Sequence, residues 1–441
     1  MRLSGVAAFV LLMLLLLYAV HRWRNPRCSG RLPPGSMGLP LVGETLQFFS
    51  PEASLDVPRF VRHRLERYGP IFKTSLVGHP VVVSADEELN YMVFQQEGQL
   101  FQSWYPDSFV EILGRDNVGE QQGAMFKYLK NMVLRYFGPE SLRESSMLRD
   151  VEHAVSSSLC TWSTLPAVEL KEAVSTMVFD LSANKLLGLE PSRSKILRKS
   201  FFDFVRGLIS FPLYLPGTAY YSCMKGQKNM QTIMLDLLRE RLSTSTKKHS
   251  DLLDLIVEEL QSEKTTIDER FAIDTLVALL FISFVTMAPT LTLAFKFLSY
   301  NPKVLKDLKE EHEEIIRSRE NPNSRFTWEE YKSLRFTTLV VNELTRMSNV
   351  TPGIFRKTLT DVQVNGYTIP AGWMVMMSPM SIHLNPNFFD DPLDFNPWRW
   401  LHVDIHSNCL SRWKEIKGGE VSRKAVIMFP QGYQIQLIPR A

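Results

Sequence analysis

"FTWEEYKSLRFTTLVVNELTRMS", residues 326–348, carries a helix start and a charged pair on one helical face. Thr327 followed three residues later by Glu330 has the form of a capping box. There a hydroxyl and a carboxylate each accept a backbone N–H that the first turn leaves without a partner. The pattern predicts one helix running on to Ser348. Within it Glu343 and Arg346 stand three apart and share a face. On its own such a pair reads as a solvated surface ion pair worth about 0.3–0.5 kcal/mol. The chain on either side decides whether it is more.

Downstream, "RKTLTDVQVNGYTIPAGWMV" (356–375) alternates apolar and polar residues around Gly and Pro turns, and "HLNPNFFDDPLDFNPWRW" (383–400) ends on an aromatic turn. Short strands fit the first of these, and strand-like pattern returns at 425–438. Upstream, "KVLKDLKEEHEEIIRSRE" (303–320) has Glu and Lys at helical spacing and reads as a solvated helix. "VALLFISFVTMAPTLTLAFKFL" (277–298) reads as an apolar core helix, and helical periodicity dominates from about residue 85 to 348. Further back lie a hairpin in "IFKTSLVGHPVVVSAD" (71–86), turned by Gly78-His79-Pro80, and a helix near 56–68. These elements predict a mainly α protein with small β-sheets, in one large domain over residues 46–441.

With 441 residues and 45% apolar content the chain can bury a large core, and its charged fraction of 22% is ordinary for a globular protein. A formal charge of +3, thinly spread, excludes nucleic acid as the expected partner. The basic exception follows the N-terminal run. Leu3 to Val20 is uncharged and strongly apolar, close to the ~20 residues that a membrane-crossing helix needs. Arg22, Arg24, Arg27 and Arg31 follow it, against Arg2 alone before it, so the positive-inside rule puts the rest of the chain in the cytosol. A cleaved signal peptide is the competing reading, but bulky and basic residues stand where its small-residue cleavage site would be. Residues 1–21 are therefore expected to be a transmembrane anchor, and 22–45 a basic and proline-rich hinge. In that hinge, "RLPPGSMGLPLVGET" (31–45) can neither continue the helix nor join a sheet centre. The four cysteines, at 28, 160, 223 and 409, are far apart and lack a C-x-x-C spacing, which fits a reducing compartment.

The E-x-x-R pair, the stretches 356–375 and 383–400 and the proline-rich hinge match, in order and spacing, the cytochrome P-450 monooxygenases. "PPGSMGLPLVGETLQFF", "YGPIFKTSLVG", "LFQSWYP" and "FPLYLPGTAY" most resemble the plant clan that oxidises sterols, brassinosteroids and triterpenoids. The resemblance covers nearly the whole chain. It implies haem as cofactor, an NADPH-cytochrome P-450 reductase as partner, an apolar sterol or triterpenoid ligand, and the cytosolic face of the endoplasmic reticulum membrane. It places Arg399 of "FNPWRW" with Glu343 and Arg346 in a buried structural charge network, and Lys130 and Arg356 at positions that hold the haem propionates. It assigns Thr286 to oxygen activation, although the acidic partner that should precede it is Val285, which cannot relay a proton. Pro289 departs as well, removing a helical backbone bond.

After "PxRW" the family continues through a glycine-rich loop with the axial cysteine, then a helix beneath the haem. Here Trp400 is followed by a short polar stretch and then by "RWKEIKGGEVSRKAVIMFPQGYQIQLIP" (412–439), which resembles the family's final strands. The haem-binding loop and its following helix are therefore expected to be missing, at an internal gap near 401–408. Cys409, in "HSNCLSRW", has no glycine beside it and no following helix; it reads as an incidental thiol, with iron ligation the alternative. Three functions stay open: a haem-thiolate hydroxylase of the family type, impaired or inactive without its ligand loop; a haem-free, membrane-anchored binding protein; or a splice or gene-model variant with no function of its own.

Overall fold

The computed structural model of the chain describes residues 2–106, 110, 124–138, 143, 147–208, 210, 213–243, 251–263, 267–401, 413–418, 420–423, 427–429 and 431–437, with the backbone alone for 2–12, 124–130, 413–418 and 436–437. They fall into two compact units, each assembled from separated stretches of sequence.

The first unit comprises residues 1–104, 351–393 and 423–426. Helix α1 (Arg2–Arg24) runs three residues past the expected anchor. It stops where Asn25 donates to the His21 carbonyl through both its backbone N–H (2.9 Å) and its side chain (3.2 Å). Met13 to Tyr18 all face outward from the protein. Two further helices follow, α2 (Thr45–Phe48) and α3 (Arg59–Tyr68). The expected hairpin is present as β1 (Ile71–Leu76) and β2 (His79–Ser84), and Gly78 adopts the positive φ of 79° that its turn needs. After α4 (Glu87–Gln95), capped by the Asp86 carboxylate on Leu89 N–H, comes β3 (Phe101–Ser103). The stretch 356–375, with its flanks, resolves into β5 (Ile354–Thr358), β6 (Val362–Val364), β7 (Tyr367–Ile369) and β8 (Met374–Met377), β4 (Val168–Glu169) belonging to the second unit. The order β1-β2-β8-β5-β3 makes one mixed sheet, in which β2 and β8 are parallel. Its two faces bury separate apolar clusters, one around Phe72, Val81 and Met376 and the other around Val82, Phe101 and Val375.

The proline-rich hinge is stitched to this sheet. Lys73 N–H donates to Pro34 O at 2.7 Å and its ammonium to Pro33 O at 2.9 Å, while Thr368 N–H donates to Arg31 O at 2.7 Å.

The second unit comprises residues 105–350, 394–422 and 427–441, and is largely helical. Its described helices are α5 (Ala124–Phe137), α6 (Met147–Ser163), α7 (Leu170–Leu187), α8 (Pro191–Gly207), α9 (Ala219–Ser243), α10 (Leu252–Leu260), α11 (Glu269–Tyr300), α12 (Pro302–Ser318), α13 (Trp328–Ser333) and α14 (Arg335–Ser348). A small sheet sets β4 (Val168–Glu169) and β9 (Trp413–Gly418) on either side of the strand Tyr433–Leu437. Helix α11, capped by Asp268 on Phe271 N–H, is long and apolar enough to cross a membrane, but most of it is buried, as a core helix is. An aromatic cluster of Phe179, Phe201, Phe202, Phe204, Phe281 and Phe284 joins α7, α8 and α11.

The single helix expected from Thr327 to Ser348 is two. The capping box of Thr327 and Glu330 is present, but the chain leaves helical geometry at Leu334, which is fully buried. Helix α14 then starts afresh on a cap from another helix. The Glu311 carboxylate of α12 accepts the N–H groups of Phe336 (2.6 Å) and Thr337 (2.9 Å) and the Thr337 hydroxyl (2.6 Å). The charged helix α12 is thus more than a solvated surface.

Candidate functional site

Helix α14 delivers Glu343 and Arg346 into the interior, and the 3-10 turn Pro397–Trp400 meets them there. Asn396 caps that turn, its side chain accepting Trp398 N–H at 3.1 Å, which fixes the turn's orientation. Glu343 is 0% exposed. Arg346 grips it with both arms of the guanidinium, Nε to Oε2 and Nη2 to Oε1, each at 2.8 Å. Arg399 Nε donates to Oε1 at 3.0 Å, Asn396 N–H to Oε1 at 2.9 Å, and the Trp400 indole N–H to Oε2 at 3.0 Å. Both guanidiniums also reach the Asp394 carbonyl at 3.4 Å. Burial pushes the Glu343 pKa up, yet the bonds from Arg346, Asn396 and Trp400 and the Arg346 charge outweigh it and hold it below the ordinary carboxylate value. A buried carboxylate satisfied this completely is a structural lock. Its aromatic surround is close: Phe395 stacks on Phe297 at 4.9 Å, and Trp398 meets Phe336 at 5.6 Å and the Lys303 ammonium at 4.5 Å. The structure brings Glu343, Arg346 and Arg399 together as the sequence implied. It adds Trp400, which the sequence reading passed over.

Thr286 lies on α11 with its hydroxyl turned back on its own helix, donating to Ile282 O at 2.9 Å and to Ser283 O at 3.4 Å. Pro289 brings no N–H to the carbonyl of Val285, four residues earlier. Ile282 and Met287, on either side of Thr286, are exposed. The nearest acid on the helix N-terminal to Thr286 is Asp274, three turns away and bonded to Gln231 at 2.8 Å.

Arg356 lies in the first unit on β5, where its guanidinium pairs with the Glu97 carboxylate, Nε to Oε1 at 3.1 Å. It also donates to the Phe355 carbonyl at 3.0 Å. Lys130 lies on α5, its side chain outside the described residues. Cys409 lies outside them altogether.

The chain spanning these residues matches the family model described as "Cytochrome P450" over residues 33–411. The chain belongs to the cytochrome P450 family. Its similarity to named plant P450 proteins extends over nearly its full length. Cytochrome P450 87A3 of rice (Oryza sativa subsp. japonica) is 49% identical over 455 aligned positions, covering 95% of this chain and 88% of the rice protein. A cucurbitadienol 11-hydroxylase from Siraitia grosvenorii is 38% identical, with 96% of each chain covered. A beta-amyrin 16-alpha-hydroxylase from Maesa lanceolata is 37% identical, with 98% of each covered. Among solved structures, the retinoic acid-bound cyanobacterial P450 CYP120A1 superposes with a TM-score of 0.75 at 24% identity, covering 85% of this chain and 83% of that one, which shows the P450 fold. The mainly helical P450 fold and the plant clan expected from sequence are therefore present.

Family membership implies haem, and the residues can be tested against it. An axial thiolate needs a deprotonated cysteine on a loop that approaches the porphyrin. Cys223 is fully buried on α9 and burial pushes its thiol up to about 12, so it stays protonated. The Cys28 thiol of the hinge donates to Thr368 O at 3.7 Å, and Cys160 is exposed in the last turn of helix α6. The Arg356 guanidinium lies beside Glu97, with Nε 3.1 Å from Oε1 and Nη2 3.5 Å from Oε2, but its buried Nε has no hydrogen-bond partner among the described residues, as a group suited to a propionate would leave it. Among the described residues no three His, Cys, Asp or Glu side chains gather as a metal site. Among the described residues no cysteine is placed as an axial thiolate.

Proposed function

We propose that this chain is a membrane-anchored P450 of the triterpenoid- and sterol-oxidising plant group that lacks the axial-ligand segment and is inactive or strongly impaired as a monooxygenase. The family chemistry it descends from is hydroxylation of an apolar polycycle with O2 and electrons supplied by NADPH through a membrane-bound reductase. The observation that carries the reading is the junction after Trp400, where twelve residues separate the last donor to Glu343 from β9 and contain neither the glycine-rich lead-in nor the loop. The alignment with the rice relative supports it. That alignment is 455 positions long and uses 95% of a 441-residue chain, so the relative holds residues with no counterpart here. Matching sequence on both sides of an in-frame gap also favours an altered splice form or gene model as its origin, and an intact transcript from the same locus is expected to encode the loop. The exposed apolar face of α1 and the arginines that follow it support an anchor in the endoplasmic reticulum membrane, with both units on the cytosolic side.

The test is the carbon monoxide difference spectrum of the reduced full chain in membranes, beside a version with the family's loop restored. No haem band from the chain and a thiolate-type band from the restored version are expected. A red-shifted thiolate-type band from the chain itself would show that a cysteine, Cys409 being the one outside the described residues, ligates iron, and would overturn the proposal.

A further inference from the structure

Residues 28–31 of the hinge dock on the β6–β7 hairpin. The Thr368 N–H of β7, turned away from β6, donates to Arg31 O at 2.7 Å, and the Cys28 thiol donates to Thr368 O at 3.7 Å. Between them Gly30 presses on the strand, where an added Cβ would stand 2.2 Å from Thr368 Oγ1. The Arg31 guanidinium lies over the Tyr367 ring, 5.4 Å from its centre. At the open end of the hairpin the Ser29 hydroxyl donates to Asp361 Oδ2 at 2.5 Å, while Asp361 Oδ1 accepts the Ala371 N–H at 2.9 Å.

Ser29 is exposed and stands in a basic stretch. Arg24 and Arg27 precede it by five and two residues, Arg31 follows it by two, and all three are exposed; the first acidic residue of the chain is Glu44. Kinases that select basic substrates read such charges by electrostatic complementarity. A solvated basic surface is the ordinary reading of a stretch like this. The acceptor of the Ser29 hydroxyl sets it apart, because it is a carboxylate. A phosphoryl group on Oγ removes the proton that Asp361 accepts and puts about −1.5 to −2 charge in its place, so an attraction becomes a repulsion. Asp361 is held from turning aside by the Ala371 N–H, and Gly30 already touches Thr368, so the chain beside Ser29 has no room to slide along the strand. The phosphate finds its counter-charges on Arg27 and Arg31, whose forked guanidiniums suit its oxygens.

We propose that Ser29 is a phosphorylation site for a Ser/Thr kinase that selects basic substrates, and that the modification releases residues 28–31 from the β6–β7 hairpin. Ser29 Oγ bonds to the γ-phosphorus of MgATP as the bond from that phosphorus to the β–γ bridging oxygen breaks. The hydroxyl proton passes to the base of the kinase, and ADP leaves. Release lengthens the loose connection between α1 and the sheet. Kinase and ATP are cytosolic, so the proposal rests on the hinge lying on the cytosolic side.

The test incubates the full chain, in nanodiscs containing phosphatidylserine, with protein kinase C and MgATP. A peptide of residues 22–35 and the double variant Arg27→Ala/Arg31→Ala are treated alongside. Mass spectrometry locates the phosphate, and hydrogen exchange reads the Thr368 amide, whose acceptor is Arg31 O. Ser29 is expected to be phosphorylated in the folded chain, several-fold less in the double variant, and the Thr368 amide to exchange several-fold faster after modification. Ser29→Ala removes the hydrogen bond without adding charge and should speed that exchange less than the phosphate does. Phosphate on the peptide but not on the folded chain would overturn the proposal, because the docked hinge would then bar the kinase; phosphate on neither would overturn it as well. Phosphate at Ser29 with unchanged exchange at Thr368 would overturn the release. Labelling in nanodiscs but not from outside sealed microsomes would overturn the cytosolic placement and with it the site as one that a cytosolic kinase reaches. The haem reading stands under each of these results.

Discussion

Replacing Glu343 with glutamine removes one negative charge from between two guanidiniums and leaves the volume almost unchanged. In the folded protein Arg346 is all but sealed from solvent and Arg399 nearly so, with side chains 2% and 12% exposed, so neither can recover hydration without opening the site. The amide can still accept from Arg346 and Trp400 in one orientation, but its NH2 group then faces donors and the positive charges lose their counter-ion. Breaking a buried pair by removing one partner costs about 3–5 kcal/mol. Against a typical net stability of about 5–15 kcal/mol this is a large fraction. The assay is urea unfolding of the full chain in nanodiscs, followed by far-UV circular dichroism, for wild type and E343Q from pH 3.5 to 8. Because the folded-state pKa of Glu343 is depressed, its contribution is fully present above the unfolded value of about 4.3 and fades as pH falls through the folded value. The difference between the two proteins should therefore be flat from pH 5.5 to 8 and shrink only below about pH 4. A difference under 1 kcal/mol at pH 7 would refute the reasoning, as would one already shrinking at pH 6.

Three other outcomes follow from the geometry. Trp400→Phe keeps the ring and removes one hydrogen bond to a carboxylate, so in the same unfolding assay it should cost about 1.5–3 kcal/mol, less than E343Q. Glu311→Ala strips the borrowed cap from α14 and should cost about 1–2 kcal/mol, with faster hydrogen exchange at Phe336 and Thr337 than elsewhere in that helix. At pH 8 a thiol reagent should modify Cys160 within minutes and leave Cys223, buried and with its thiol pushed up to about 12, unmodified until the protein unfolds; mass spectrometry after digestion reads both.

Features set by neighbours in sequence could be read in advance. The Thr327–Glu330 capping box, the 71–84 hairpin and the shared face of Glu343 and Arg346 each need only a few consecutive residues, and all are present. What escaped depends on partners far along the chain. The helix restart at Phe336, after the break at Leu334, answers to a carboxylate 25 residues back, at Glu311, and the Arg356 pair joins residues 259 apart. The pairing of Phe101 with Thr358 that closes the five-stranded sheet is equally remote in sequence. Trp400 stands in the FNPWRW motif with no role legible in sequence, because its indole reaches Glu343 only once the Asn396-capped turn aims it there. The prolines and glycines of the hinge are legible in sequence, whereas its hydrogen bonds to Lys73 depend on a strand about 40 residues further on.

Every described donor to Glu343 lies at or before Trp400, ahead of the polar stretch 401–412. During synthesis the chain emerges from its N-terminus, so all parts of this hub are available before the final strands leave the ribosome. A change confined to the chain after Trp400 would thus leave each of these described partners of Glu343 in place.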